Sequence, residues 1–307
     1  MKKSSIKDVA TSVQHRLGNT MKQSGRPYME ILQHFAMERF LYRLSTSLYK
    51  DQFVLKGGYM LLALRAPISR PTMDIDLLGK HKKSIDEMVL VFREVCGQPV
   101  EDDGVLFNPD SVRGTRIMEG NEIEGVRIEC QGQLGTTHLF IYVDISFNDE
   151  IHPEPIQLEI PSALGFSPVK VLGYTKESII AEKLEAIARH GELNTRMKDF
   201  FDIWMLAQNY DFDGDSLSKA IQKTFLSRKR DLSEKITAFT LVFAQDDARQ
   251  RQWASFIKKR FLHPAPKKFS ELMASVRTFL APLLSALIRE SEQKGRWQAS
   301  NGSWVKS

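Results

Sequence analysis

The stretch Thr72-Met73-Asp74-Ile75-Asp76-Leu77-Leu78 alternates polar and apolar residues. A strand's period of two sends Asp74 and Asp76 to one face and Met73, Ile75 and Leu77 to the other. Two carboxylates held this close repel unless a cation or protons sit between them, and such a pair is how a divalent metal is gripped beside a triphosphate. The same Asp-x-Asp also occurs on plain solvated strand edges, so its surroundings decide its meaning. Upstream, Phe53-Val54-Leu55 reads as a short apolar strand, Lys56-Gly57-Gly58 as a turn and Tyr59 to Leu64 as a helix. Glycines there let the backbone approach a phosphate, which the N–H groups of the first helical turn attract, although a Gly-Gly pair serves equally as a tight turn. Downstream, Leu139 to Phe147 alternates again, with Ile141, Val143, Ile145 and Phe147 on one face and Tyr142, Asp144 and Ser146 on the other. If this strand pairs beside the first, three carboxylates converge, as two-metal phosphoryl transfer requires. As an edge strand, it would leave Asp144 facing water.

Around this centre, Leu32, Phe35, Ala36, Phe40 and Leu44 recur at mostly three- and four-residue spacing and predict an amphipathic helix over Tyr28 to Leu48. Val105 to Cys130 reads as shorter, polar strands and turns. Pro153, Pro155, Pro161 and Pro168 thin out regular structure before a helix from Thr175 to His190. Beyond it the pattern is helical, with breaks around Asn209 to Asp215 and His263 to Pro266, and the final residues, rich in Gly, Ser, Gln and Asn, read as frayed. The expected class is α+β: an α/β lobe with N-terminal helices over residues 1–172 and a mostly helical lobe over 173–307.

The 307 residues, 42% hydrophobic and 26% charged, suffice for two lobes with substantial cores. The basic start, Met1-Lys2-Lys3, leads into a polar stretch rather than an apolar signal segment, and no apolar run approaches the roughly 20 residues of a membrane span, so the expectation is a cytoplasmic protein with no membrane contact. Two cysteines, Cys96 and Cys130, are too few for a disulfide scaffold or an all-cysteine zinc site. The net charge of +5 leans toward a polyanionic partner. No Gly-x-Ser-x-Gly elbow, His-Glu-x-x-His site or Walker loop competes with the acidic motif.

Together, the glycine turn, the apolar-flanked Asp-x-Asp and the later strand aspartate resemble the polymerase-β-like nucleotidyltransferases. More narrowly, Leu55-Lys56-Gly57-Gly58 followed by Arg70-Pro71-Thr72-Met73-Asp74-Ile75-Asp76-Leu77 is similar to the AbiEii/AbiGii toxin family of type IV toxin–antitoxin and abortive-infection systems. Gly58 stands where many superfamily members have a phosphate-contacting serine. The family's later Lys-x-Glu and Lys-Asp-x-x-Asp helices have counterparts in Glu182-Lys183-Leu184-Glu185 and Arg196-Met197-Lys198-Asp199-Phe200-Phe201-Asp202, so the resemblance covers residues 28 to 208. It implies a polymerase-β-like lobe with a mixed sheet, completed by the helical lobe across a cleft. It also implies Mg²⁺ or Mn²⁺ on Asp74, Asp76 and Asp144, and an NTP held by Lys56, Gly57, Gly58, Arg70, Thr72 and Lys183. Asp74, Asp76, Lys183 and Asp199 become the catalytic set.

Helical periodicity grades these last residues. Ile180, Leu184 and Ile187 form one buried stripe, with Lys183 about 60° from its centre and Glu182 and Glu185 pointing away. On the next helix Met197, Phe200, Ile203, Trp204 and Ala207 form the stripe, with Asp199 at its margin and Asp202 farther out. Asp199 is therefore the favoured acid, and Asp202 a structural one; simple i,i+3 and i,i+4 pairing on a solvated face is the alternative. Relatives that append nucleotides to the tRNA 3′ end imply an RNA acceptor and an AbiEi-like antitoxin. Arg228-Lys229-Arg230, Arg249, Arg251, Lys258-Lys259-Arg260 and Lys267-Lys268, interleaved with Trp253, Phe256 and Phe261, suit a phosphate-tracking surface. A non-catalytic nucleic-acid- or protein-binding module on the same fold, and transfer to a small-molecule or protein hydroxyl, are the competing functions.

Overall fold

A computed structural model describes residues 6–64, 70–81, 84–119, 122–147, 150–232, 236–260, 262, 264–289, 291 and 295–306. The chain forms two compact units: Met1–Leu64 with Pro71–Asn148 and Ile156–Gly173, and Arg65–Arg70 with Asp149–Pro155 and Tyr174–Ser307. Phe261, His263 and the first five residues, all read above, lie outside the described residues.

The first unit opens with helices α1 (Ile6–Ser24) and α2 (Tyr28–Thr46). It continues through β1 (Phe53–Lys56), α3 (Tyr59–Ala63), β2 (Ile75–Gly79), α4 (Ile85–Cys96), β3 (Val105–Glu119), β4 (Glu122–Leu134), β5 (Thr137–Phe147), β6 (Ile156–Ile160) and β7 (Val169–Gly173). Its sheet runs β3-β4-β5-β2-β1-β7-β6. The β2/β5 and β1/β7 pairs are parallel and the others antiparallel, so the sheet is mixed and the class is α+β.

Several local expectations change. Helix α2 is not amphipathic: it buries Glu38, Arg39 and Arg43 along with its apolar residues. These charges are paired internally. Arg39 Nε and Arg43 Nη1 donate to the buried Asp103 at 2.9 and 2.8 Å, and Arg43 Nη2 donates to the Val105 carbonyl. Polar residues that pair in the interior defeat a reading based on hydrophobic period. The region after Val105 is a long hairpin rather than short strands, because register shifts between Asn108 and Arg113 and between Ile117 and Met118 absorb what looked like breaks. Helix α4 went unread, although Ser84 and Glu87 form a reciprocal capping box at its start.

The second unit contains α5 (Lys176–His190), α6 (Met197–Asn209), β8 (Phe212–Asp213), α7 (Gly214–Ser227), α8 (Leu241–Gln245), α9 (Asp247–Lys259), α10 (Phe269–Ile288), β9 (Arg296–Gln298) and β10 (Ser303–Val305). Its C-terminal residues are pinned rather than frayed. Trp297 is buried and donates Nε1–H to the Ala207 carbonyl at 2.7 Å, while Trp304 stacks on Phe279 and donates to its carbonyl. Helix α10 also corrects the reading of apolar runs: by length and composition it could cross a membrane. Here Phe269, Leu272, Val276, Phe279 and Leu283 are wholly buried, and the helix packs on α6, α7, α8 and α9. Cys96 and Cys130 are free and buried.

Candidate active site

The middle of the first unit's sheet builds the acidic centre. Strand β5 is an interior strand flanked by β4 and β2, so Asp144 is not on an edge. The parallel register sets Asp76 directly opposite Asp144. Ile75, Leu77, Val143 and Ile145 point to the opposite face and are fully buried, which fixes the register because a one-residue slip would turn them outward. Asp74 sits just before β2 rather than within it, and Met73 is 48% exposed instead of sharing the apolar face. The period-of-two reading therefore holds only from Ile75 onward. Even so, one carboxylate oxygen from each of Asp74, Asp76 and Asp144 lies within 4.8 Å of the others, and all three residues are half-exposed. Three hard oxygen donors at this spacing suit one divalent ion, whose bonds to oxygen run about 2.0–2.6 Å.

Thr72 and His34 brace Asp74. The buried Thr72 hydroxyl donates to Asp74 Oδ1 at 3.0 Å, so in this arrangement it holds the carboxylate. His34 of α2 places Nε2 3.0 Å from the Thr72 carbonyl oxygen and 3.3 Å from the Thr72 amide nitrogen, so the ring is held against the Thr72 backbone. Burial, aided by the nearby positive charge of Arg26, lowers the His34 pKa from 6.5 to about 4. Because the unfolded chain takes up this proton first, His34 contributes stability that is fully present above pH 6.5 and is lost as pH falls toward 4. Wild-type protein should lose on the order of 2–3 kcal/mol more than His34→Gln across that window, measured by urea denaturation at stepped pH.

Lys56 lies opposite Asp76 in the β1/β2 register, and the Gly57 turn folds directly over the Asp76 carboxylate. Gly57 has φ +67°, and a Cβ there would come within 1.8 Å of Asp76 Oδ2, so both backbone conformation and space demand glycine. The following helix, α3, is only five residues long, so phosphate attraction by a helix dipole is weak here and the turn's own backbone is what remains.

One participant was missed altogether. Arg127 of β4 stands opposite Asp144 in the β4/β5 register and donates Nε and Nη2 to its two carboxylate oxygens, each at 2.7 Å. Those hydrogen bonds hold the guanidinium still more firmly protonated than an ordinary arginine. Val126, Ile128 and Cys130 are buried, so the alternation that turns Arg127 to the acidic face was present in the sequence. The register that sets it beside Asp144 was not.

The second unit gathers the remaining residues into a buried ion cluster. Lys183 of α5 approaches Asp199 at 3.1 Å and Asp202 at 2.6 Å. Arg70 donates Nε and Nη2 to the two oxygens of Asp202, both at 2.9 Å, and the half-exposed Arg196 donates to Asp199 at 2.8 Å. Asp202 is fully buried, against the expectation that it points outward, and Glu185 is buried too, where it accepts from Arg230. Helices α5 and α6 are each covered on more than one side, so a single stripe does not describe them. Burial works against the Lys183 charge, but Asp202 and Asp199 outweigh it and raise its pKa. Burial likewise opposes the Asp199 charge, and Lys183 and Arg196 outweigh it and lower its pKa.

The basic residues of this unit divide. Arg230 is tied to Glu185, Arg249 to Asp246, and Trp253 is core, its Nε1–H donated to the Pro266 carbonyl. Arg251, Lys259 and Arg260 instead line a groove of about 620 Å³ with Arg196, Lys198 and Phe256.

The mixed sheet carries in-register aspartates on adjacent parallel strands under a glycine turn, an arrangement suited to nucleotidyl transfer. The sequence model of the nucleotidyltransferase AbiEii toxin of type IV toxin–antitoxin systems matches residues 39–275, and the chain belongs to that family. Two solved Helicobacter pylori structures are similar to it. One, described as a candidate nucleotidyltransferase, has 17% identity and a TM-score of 0.48, the alignment covering 87% of this chain and all of that one. The other, JHP933, has 16% identity and a TM-score of 0.48 over 86% of this chain and 95% of that one. No curated protein matches the chain.

Proposed function

We propose that this toxin is a metal-dependent enzyme that transfers an NMP unit from an NTP to an RNA acceptor, the 3′ end of a tRNA. The observation that carries the reading is the convergence of Asp74, Asp76 and Asp144 on one sheet face. Asp74, Asp76 and Asp144 would hold Mg²⁺ or Mn²⁺. When bound, the ion neutralises the triphosphate and lowers the pKa of the attacking hydroxyl. The acceptor oxygen forms its bond to the α-phosphorus as the bond to the β-phosphate oxygen breaks, releasing pyrophosphate, and the hydroxyl proton passes to a carboxylate at the site. Gly57, Gly58 and Lys56 flank the nucleotide's phosphates, and Thr72 keeps Asp74 oriented. In the second unit, Lys183 and Asp199 act as a further functional pair, Asp199 orienting Lys183, while Asp202 and Arg70 hold that pair in place.

The choice of RNA is supported by the groove lined by Arg251, Lys259 and Arg260, five of whose lining residues are cationic. The reaction is cytoplasmic, and an AbiEi-like antitoxin encoded nearby restrains it. Incubation with labelled NTPs, Mg²⁺ and total tRNA should label RNA. Charge reversal at Arg251 and Lys259 should cut that labelling at least about tenfold and flatten its salt dependence. Label appearing on protein or a small molecule, with no effect of the reversal, would assign a different acceptor.

A further inference from the structure

We propose that Arg127 is the acidic centre's resident counter-ion, which holds Asp144 until a metal-bound triphosphate arrives and then moves from the carboxylate to a phosphate oxygen. This rests on the reading of Asp74, Asp76 and Asp144 as metal ligands.

Three carboxylates with oxygens within 4.8 Å of one another repel strongly. Asp144 is the member whose two oxygens are both engaged by a guanidinium, at 2.7 Å each, in the bidentate geometry that arginine forms best. A divalent ion coordinating Asp144 competes for those same oxygens, so Arg127 must yield at least one of them. It has somewhere to go. Its side chain is 46% exposed, and Tyr142, on the same face of β5, presents its ring 5.9 Å from the guanidinium carbon. Arginine pairs with phosphate in the same forked geometry as with carboxylate, so a triphosphate over the triad offers an equivalent partner. The exchange conserves Arg127's charge and proton throughout. It makes the centre a poor site for a free ion and a good one for an ion delivered with its nucleotide.

The test measures Mn²⁺ binding, by the loss of the free-ion paramagnetic signal, to full-length wild-type, Arg127→Gln and Arg127→Lys proteins, first alone and then with a non-hydrolysable NTP analogue. Without nucleotide, Arg127→Gln should bind Mn²⁺ roughly tenfold more tightly than wild type, with Arg127→Lys between them. With saturating Mn²⁺, Arg127→Gln should bind the analogue roughly tenfold more weakly. Equal or weaker Mn²⁺ binding by Arg127→Gln, or unchanged affinity for the analogue, overturns the proposal. If neither wild type nor any variant binds Mn²⁺ even with the analogue, the metal reading of the triad fails instead.

Discussion

Asp76→Asn should lower the rate of nucleotide transfer by about a thousandfold or more while leaving Tm within ~3 °C of wild type. Asparagine keeps the shape on which the Gly57 turn rests, so the loss reports charge alone. Asp76 is at the junction of every element of the centre: opposite Lys56 on one side, opposite Asp144 on the other and beneath the glycine turn. Asp74→Ala should be comparably inactive, since its carboxylate, held by Thr72, is one of the three that converge. Steady-state transfer measured over a range of Mg²⁺ concentrations checks this, and retention of more than about a tenth of the activity in both variants would remove the triad from the chemistry.

Asp202→Ala should cost roughly 3–5 kcal/mol, a fall in Tm of the order of 10 °C. The side chain is fully buried and answers two cations, Arg70 through paired hydrogen bonds and Lys183 at 2.6 Å. Truncation leaves both charges inside the protein with one carboxylate fewer. Asp199→Ala should cost less, because Lys183 retains Asp202 and Arg196 is 43% exposed and can turn to water. Scanning calorimetry of the two variants separates them. Equal losses would mean that Asp199 and Asp202 carry the cluster jointly.

The contrast between these residues shows what the sequence could convey. Strand β5 was legible because its alternation is clean, and β1 followed by the glycine turn was legible because apolar run and breaker are adjacent. Family resemblance singled out Lys183 and Asp199 on consecutive helices, and the ion cluster contains both. Periodicity failed where helices are enclosed: Asp202, Glu185, Glu38, Arg39 and Arg43 are polar residues buried by pairing, and a hydrophobic stripe carries no information about their partners. Trp253 failed in the opposite sense, as an aromatic among basic residues that is core rather than surface. Arg127 was hidden for another reason. Its face could be read from Val126 and Ile128, but its meeting with Asp144 depends on the register of the β4/β5 hairpin, which is set by where the two-residue turn at Gly135 falls.

The most direct measurement is a crystal structure with Mn²⁺ and a non-hydrolysable NTP analogue, using the anomalous signal to locate the ion. The expected result is a peak about 2.0–2.6 Å from oxygens of Asp74, Asp76 and Asp144, with the triphosphate at the Gly57 turn. A nucleotide bound elsewhere, or an ion that avoids these three carboxylates, would contradict the central claim.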